Sequence, residues 1–475
     1  MNFEIITNQT GEYTREIMEA VARISGSSDF ADLITIAILF GGLWLGFKAA
    51  FTGEVKVSGK WIMTCVIIYQ CLMVPKSTVL ITDRGRPAYN ATINNVPIGL
   101  ALFASYTSKI GNGIAELFEM NFSLPSDLNY NNTGMLFGAN IVRDQTKQRF
   151  PTPSFAINMD NFIKQCVLMD LALGNKYTID ELKSSGDIWD LITTTYAQSK
   201  VKMFPYQING TEELVTCENG AGKIQANMSK ETDDVFENWY KKLFGKPDTV
   251  SAKNYMITKL GVSNQYLMDM SQDASEALKQ SMVINAIYDA AENNASLSDS
   301  YAKSRMRDQT RKTYKAIGMD IAYWMVLTRG CLEVILYAIF PFMFLMFCLP
   351  IGITVFKSWV FSLVWIQSWP IMFAIINLIY TLETKSSLVA AEGKITMSNI
   401  DSVINQDVAY MAGYLMMATP LLMLKLLQGG IGGAGAHLSS MLTGVGSGTA
   451  SQVAGEMSTG NMSIGNSSLN NHSYD

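Results

Sequence analysis

Histidine is nearly absent from this chain of 475 residues: there are two, His437 and His472, both near the C-terminus. That scarcity removes Ser-His-Asp and Cys-His catalysis, and most zinc chemistry, from everything before residue 437. Charge is scarce too. Charged residues make up 16% of the chain, where an ordinary soluble domain carries about 25%. Lys and Arg total 36 against 41 Asp and Glu, so no basic excess offers a platform for nucleic acid. Gly-Lys pairs occur, but none is followed by Ser or Thr, so a phosphate-cradling loop is missing. CxxC, HExxH and GxSxG are missing as well. No catalytic residue, metal or cofactor is expected, and the chain does not read as an enzyme.

What it has is apolar surface: 48% of residues, with a mean hydropathy of +0.15. These residues collect in five blocks. Residues 33–47 carry no charge and, with Ala49, Ala50 and Phe51, are long enough to cross a bilayer. Residues 61–75, fenced by Lys60 and Lys76, are short and need 77–81 to span. Residues 334–356 and 359–380 are uncharged runs separated by Lys357 and Ser358, and 408–424 is stopped by Lys425. A spanning helix takes about 20 apolar residues, so the pattern predicts a mainly α, polytopic membrane protein of about five transmembrane helices. A buried soluble helix is the competing reading, strongest for the second block. Trp61 and Trp359 open their blocks, as interface anchors do.

This spacing divides the chain into 1–81 (a tail and two helices), a large domain over 82–318, three helices over 319–428, and a tail over 429–475. No cleavable signal peptide is evident, because the first 28 residues carry Glu4, Glu12, Glu16 and Glu19 and no apolar run. Lysines in the first short loop place that loop inside and the large domain outside; the basic cluster from Lys303 to Lys315 argues the other way. The large domain reads as mostly helical. Thr178 and Glu181 form a capping box, Val235 to Phe244 an apolar stripe, and 265–291 a helix. Residues 87–160 read as irregular, with small strands. The last segment is rich in Gly, Asn and Ser and reads as a flexible, disordered tail with a five-residue repeat from Gly460.

Cys166 and Cys217 are the two cysteines of the large domain. In an oxidising compartment they pair as a disulfide; otherwise they are two separate buried thiols. Arg329 and Glu333 stand four apart, on one helix face at the entry to the third block. Such groups face a partner or a watery cavity, or else snorkel to the headgroups, which is the plainer expectation here. Pro341, Pro370 and Pro420 lie inside the last three blocks as kink or packing positions, with Trp365 and Trp369 beside Pro370.

Several stretches, in order, resemble the N-terminal region of TraG proteins from F-type conjugation systems. They are Asn-Asn-Val-Pro-Ile-Gly-Leu-Ala at 94–101, Thr-Gly-Met-Leu-Phe-Gly-Ala-Asn at 133–140, Gln165-Cys166 and Asn-Lys-Tyr-Thr-Ile-Asp-Glu-Leu at 175–182. Thr216-Cys217, Val-Phe-Ser-Leu-Val-Trp-Ile-Gln-Ser-Trp-Pro at 360–370 and the Gly-Asn repeats complete the series. Both domain cysteines lie on such stretches, which supports their pairing. The resemblance implies a multi-pass protein of the bacterial inner membrane with its large domain in the periplasm. It implies a role in pilus assembly and mating-pair stabilisation within a type IV secretion system. Expected partners are other secretion and conjugation subunits and the bilayer, with no direct sequence-specific nucleic-acid binding. Such proteins continue into a long periplasmic region that this chain does not show. A membrane-tethered sensor or binding protein is the alternative, and a secondary transporter is a more distant one.

Overall fold

The computed structural model describes residues 2–52, 63, 66–84, 89–174, 176–208, 210–244, 249–292, 322–347, 349, 351–388, 393–400, 408–429, 462–464 and 467–469. Most of them are helical. Strand β1 (Asn2–Thr7) is followed by α1 (Gly11–Ile24) and α2 (Ser28–Thr52). Beyond the second apolar block come β2 (Lys76–Asp83), β3 (Asn90–Pro97) and α3 (Ile98–Met120). β1 runs parallel to β2, and β3 antiparallel to it, in a sheet of order β1-β2-β3. This corrects the second span: residues 77–81, counted above as its final turn, are a strand. Val79 and Ile81 are buried while Leu80 between them is exposed, a period-two alternation that a helix cannot bury on one face. Asp83, at the end of β2, accepts hydrogen bonds from the Gln9 and Gly11 amides at 2.8 Å each, fixing the chain where α1 begins.

A second correction concerns 87–160. α3 is a continuous helix of 23 residues in a stretch expected to be irregular. Its glycines and asparagine suggested turns, but Leu100, Ala104, Gly111 and Ala115 are buried along one side by tertiary packing. After α4 (Phe137–Gln145) and α5 (Pro153–Phe162), the hairpin β4 (Met203–Ile208) and β5 (Thr211–Thr216) leads into α6 (Cys217–Phe244). The Thr178–Glu181 capping box forms as its spacing predicts. The helix expected over 265–291 is instead the end of α7 (Thr249–Met268) and α8 (Ala274–Glu292), broken where Asp269 adopts φ 49°.

The apolar C-terminal half begins with α9 (Ala322–Ala338), bent by 43° into α10 (Phe340–Phe347). Then come α11 (Gly352–Leu388) and α12 (Val408–Leu427). The third block, 334–356, is therefore not one helix. Pro341 has no amide to give the Tyr337 carbonyl, which accounts for a bend there. The turn into α11 closes on Gly352, where a Cβ would lie 2.1 Å from the Phe347 carbonyl oxygen. Lys357 and Ser358, read as a break between blocks, lie inside α11. Among the described residues two helices, α2 and α11, are long and apolar enough to cross a membrane, and the bent pair α9–α10 would make a third. Among the described residues that gives two or three candidate spans, against the five expected from the sequence. α12 counts only as the shorter apolar helix Leu415–Leu427.

Three apolar cores hold these elements. One joins α5, the hairpin and α6–α8, and takes in Leu388, the last residue of α11, with Ile395 and Ile400 beyond it. A second joins the sheet, the start of α3, α10 and Trp359. The third packs Tyr130 and Leu136 against α9, α11 and α12. In the tail, β6 (Met462–Ile464) and β7 (Ser467–Leu469) pair antiparallel, so these residues depart from the expected lack of structure. Residues 53–62, the basic cluster at 303–315 and residues 430–461 lie outside the described residues.

Candidate functional site

The helix face that carries Arg329 and Glu333 meets α11 one turn before Pro370. Both side chains are 1% exposed and stand 3.3 Å apart. Gln367 bridges them: its Oε1 accepts from Arg329 Nη2 at 2.6 Å, and its Nε2 donates to Glu333 Oε1 at 2.7 Å. The Tyr337 hydroxyl, one turn along α9, donates to the same carboxylate oxygen at 2.6 Å. Arg329 Nε also points to the Ile366 carbonyl at 3.4 Å. That carbonyl sits four residues before Pro370, which has no N–H to return to it. Neither charge reaches out along its stem to a helix end; the two neutralise each other within the packing.

Two glycines bring other elements against this network. A Cβ on Gly111 of α3 would lie 2.1 Å from the Gln367 carbonyl oxygen, so only glycine admits the observed approach of α3 to α11. A Cβ on Gly330, beside Arg329, would lie 2.4 Å from Thr10 Cγ2, at the start of α1. The N-terminal segment, α3, α9 and α11 thus converge on one buried ion pair. Sequence reasoning found Arg329 and Glu333 by their spacing but missed Gln367, Tyr337 and both glycines. The signal for Gln367 was an amide side chain within a run that carries no charge.

The other flagged residues hold helices together. Trp365 Nε1 donates to the Pro420 carbonyl at 2.9 Å, joining α11 to α12. The Trp369 ring is buried edge-on to Trp365 and Phe373. Pro341 is buried at the α9–α10 bend.

Far along the chain, Cys166 and Cys217 form a disulfide, with Cα atoms 5.9 Å apart and both residues fully buried. A second tie lies beside it. Asp170, one turn beyond Cys166, pairs with Lys176 at 2.7 Å and with Lys202. Lys202 in turn accepts the Cys217 amide on its carbonyl at 2.9 Å. Burial opposes the charge on Asp170, but hydrogen bonds and charge from the two lysines outweigh it and hold its pKa below the ordinary carboxylate value. Burial raises the nearby Tyr177 phenol well above its usual range. Among the described residues no group of His, Cys, Asp and Glu is arranged to hold a metal ion.

No solved structure matches this chain. A curated relative, Protein TraG of Escherichia coli (strain K12), is 26% identical over 472 residues, covering 96% of this chain. The chain spans about half the length of that relative, 49%. The family described as TraG-like protein, N-terminal region, matches residues 4–450, and the chain belongs to that family.

Proposed function

We propose that this chain is an inner-membrane component of an F-type conjugative type IV secretion system, serving pilus assembly and DNA transfer, with a further part in mating-pair stabilisation. The observation that carries the reading is the family match over nearly the whole chain. Apolar helices of spanning length beside a disulfide-bonded domain support it, since disulfides persist outside the cytoplasm. The large domain then lies in the periplasm. Pairing of β1 with β2 supports a common side of the bilayer for these two strands. The role is that of a scaffold. Its partners are other secretion subunits of the inner membrane and periplasm and the bilayer, without sequence-specific contact to nucleic acid.

The test is expression of residues 1–475 in a strain deleted for the corresponding gene of its own system. Sensitivity to pilus-specific phage should return, and the chain should co-purify with secretion-channel subunits. A chain that restores neither phage sensitivity nor channel association would overturn the assignment. Stable mating aggregates in liquid culture are the separate readout for mating-pair stabilisation.

A further inference from the structure

The two apolar segments near the N-terminus have neighbouring ends. α2, which is of spanning length, opens at Ser28, and the second apolar block closes at Pro75. Lys76, the next residue, donates from Nζ to the Ser25 carbonyl at 3.4 Å, and β1 pairs with β2 just beyond. Both segment ends therefore lie on one side of any bilayer that α2 enters, at the level of its headgroups. A groove of about 560 Å³ opens there between α1 and β3. Arg23 and Lys76 supply its cations, and Thr92, Asn94 and Asn95 a polar wall.

Charge and hydrogen bonding in this groove favour an anion. Among the described residues Glu19 is its one carboxylate, and Arg15 at 2.9 Å and Arg23 at 3.9 Å already neutralise it. The Arg23 side chain is 71% exposed. Lys76 makes no ion pair among the described residues, and its bond to Ser25 leaves the other ammonium hydrogens free. β3 bulges at Asn94 and Asn95, where Asn95 adopts φ 63°. Asn94 Oδ1 accepts the Thr78 hydroxyl at 3.0 Å, so its amide hydrogens are unused. The Asn95 side chain makes no hydrogen bond among the described residues. Cations beside amide donors match the oxygens of a phosphodiester.

We propose that this groove binds the phosphodiester headgroup of an anionic phospholipid of the phosphatidylglycerol kind. A lipid is the source because the groove sits where the apolar segments end, a position from which a soluble phosphate ester would gain nothing. The inference rests on α2 lying in a bilayer, and not on the secretion role.

The experiment titrates the full chain, extracted from membranes into dodecylmaltoside, with phosphatidylglycerol or phosphatidylcholine and counts bound lipid by native mass spectrometry. Phosphatidylglycerol should bind saturably and about fivefold or more tightly than phosphatidylcholine. Arg23→Gln and Lys76→Gln should each weaken it about fivefold, the effect of one basic group at a lipid surface. Asn95→Gly suits the positive φ, removes the amide and should weaken binding about twofold, which keeps the test decisive if Lys76→Gln melts early. Lys200→Gln makes the same change of charge at an exposed residue of the large domain and should leave binding unchanged. Equal affinity for the two lipids, groove variants that bind as the parent does, or an equal loss in Lys200→Gln would overturn the proposal. Displacement of the lipid by an equal concentration of glycerol phosphate would identify a soluble ester and overturn the lipid assignment. A chain that does not insert into vesicles overturns this site together with the membrane reading; an inserted chain without lipid preference overturns the site alone.

Discussion

Arg329 on α9 is tied to Pro370 on α11 through a carbonyl that belongs to neither. Pro370 leaves the Ile366 oxygen without its helical donor, and the Arg329 guanidinium lies 3.4 Å from it while also binding Gln367 and Glu333. A backbone defect and a buried charge, each costly alone, are thus placed to satisfy each other.

Removing one member of this arrangement should cost far more than removing both. Arg329→Met leaves Glu333 buried and unpaired, an expected loss of about 3–5 kcal/mol. Arg329→Met with Glu333→Leu should recover most of it. Thermal unfolding in detergent and the level of membrane-inserted protein measure both. A double variant no better than the single would show that the pair does not act as a unit.

Gly111 and Gly113 make a matched comparison on α3. Gly111→Ala puts a methyl into the Gln367 backbone and should destabilise by at least about 1–3 kcal/mol. Gly113→Ala meets nothing within 4 Å and should stabilise the helix by about 0.8–1 kcal/mol. The same unfolding assay should move the two in opposite directions.

The disulfide closes a loop with a sequence separation of 51. Chain entropy assigns such a loop about 4 kcal/mol. Cys166→Ser with Cys217→Ser should lower stability by an amount of that order. In denatured, unreduced protein from intact cells, neither cysteine should react with a thiol label until reductant is added. Labelling before reduction would place the domain in a reducing compartment or leave the pair unformed in cells.

Asp170 gives a pH dependence of known sign. Its folded pKa is depressed, so it adds stability at pH values above its unfolded pKa, about 3.9. That contribution is lost as pH falls from there through the folded value. The stability gap between wild type and Asp170→Asn should be full at neutral pH and close in acid over that window. A gap that is unchanged at low pH would mean that the lysine pairing does not set the carboxylate's charge.

Local chemistry made some of this protein legible in advance. The Thr178–Glu181 box, the stripe from Val235 to Phe244 and the apolar run in α2 are short-range patterns, and each became the expected element. The Asn209-Gly210 dipeptide, between the strands of the β4–β5 hairpin, was a readable turn signal that went unused; Gly210 adopts φ 85°. Hydropathy alone misassigned 77–81 and the third block. A β strand and the last turn of a membrane helix can have the same composition, and a proline or glycine marks a bend only once the neighbouring helices are known.

The sequence by itself determined that the chain is mainly helical and rich in membrane-type segments, that its two histidines lie near the C-terminus, and that Arg329 and Glu333 share a helix face. These depend on composition and on spacing within a turn or two. Tertiary structure alone decided that β1 would join β2 across some seventy residues, that Gln367 would bridge the ion pair, and that Gly111 and Gly330 would be the points of closest approach. Pairings of that kind depend on which distant surfaces meet. No local pattern encodes them, because the energy that selects them comes from burial shared among segments far apart in the chain.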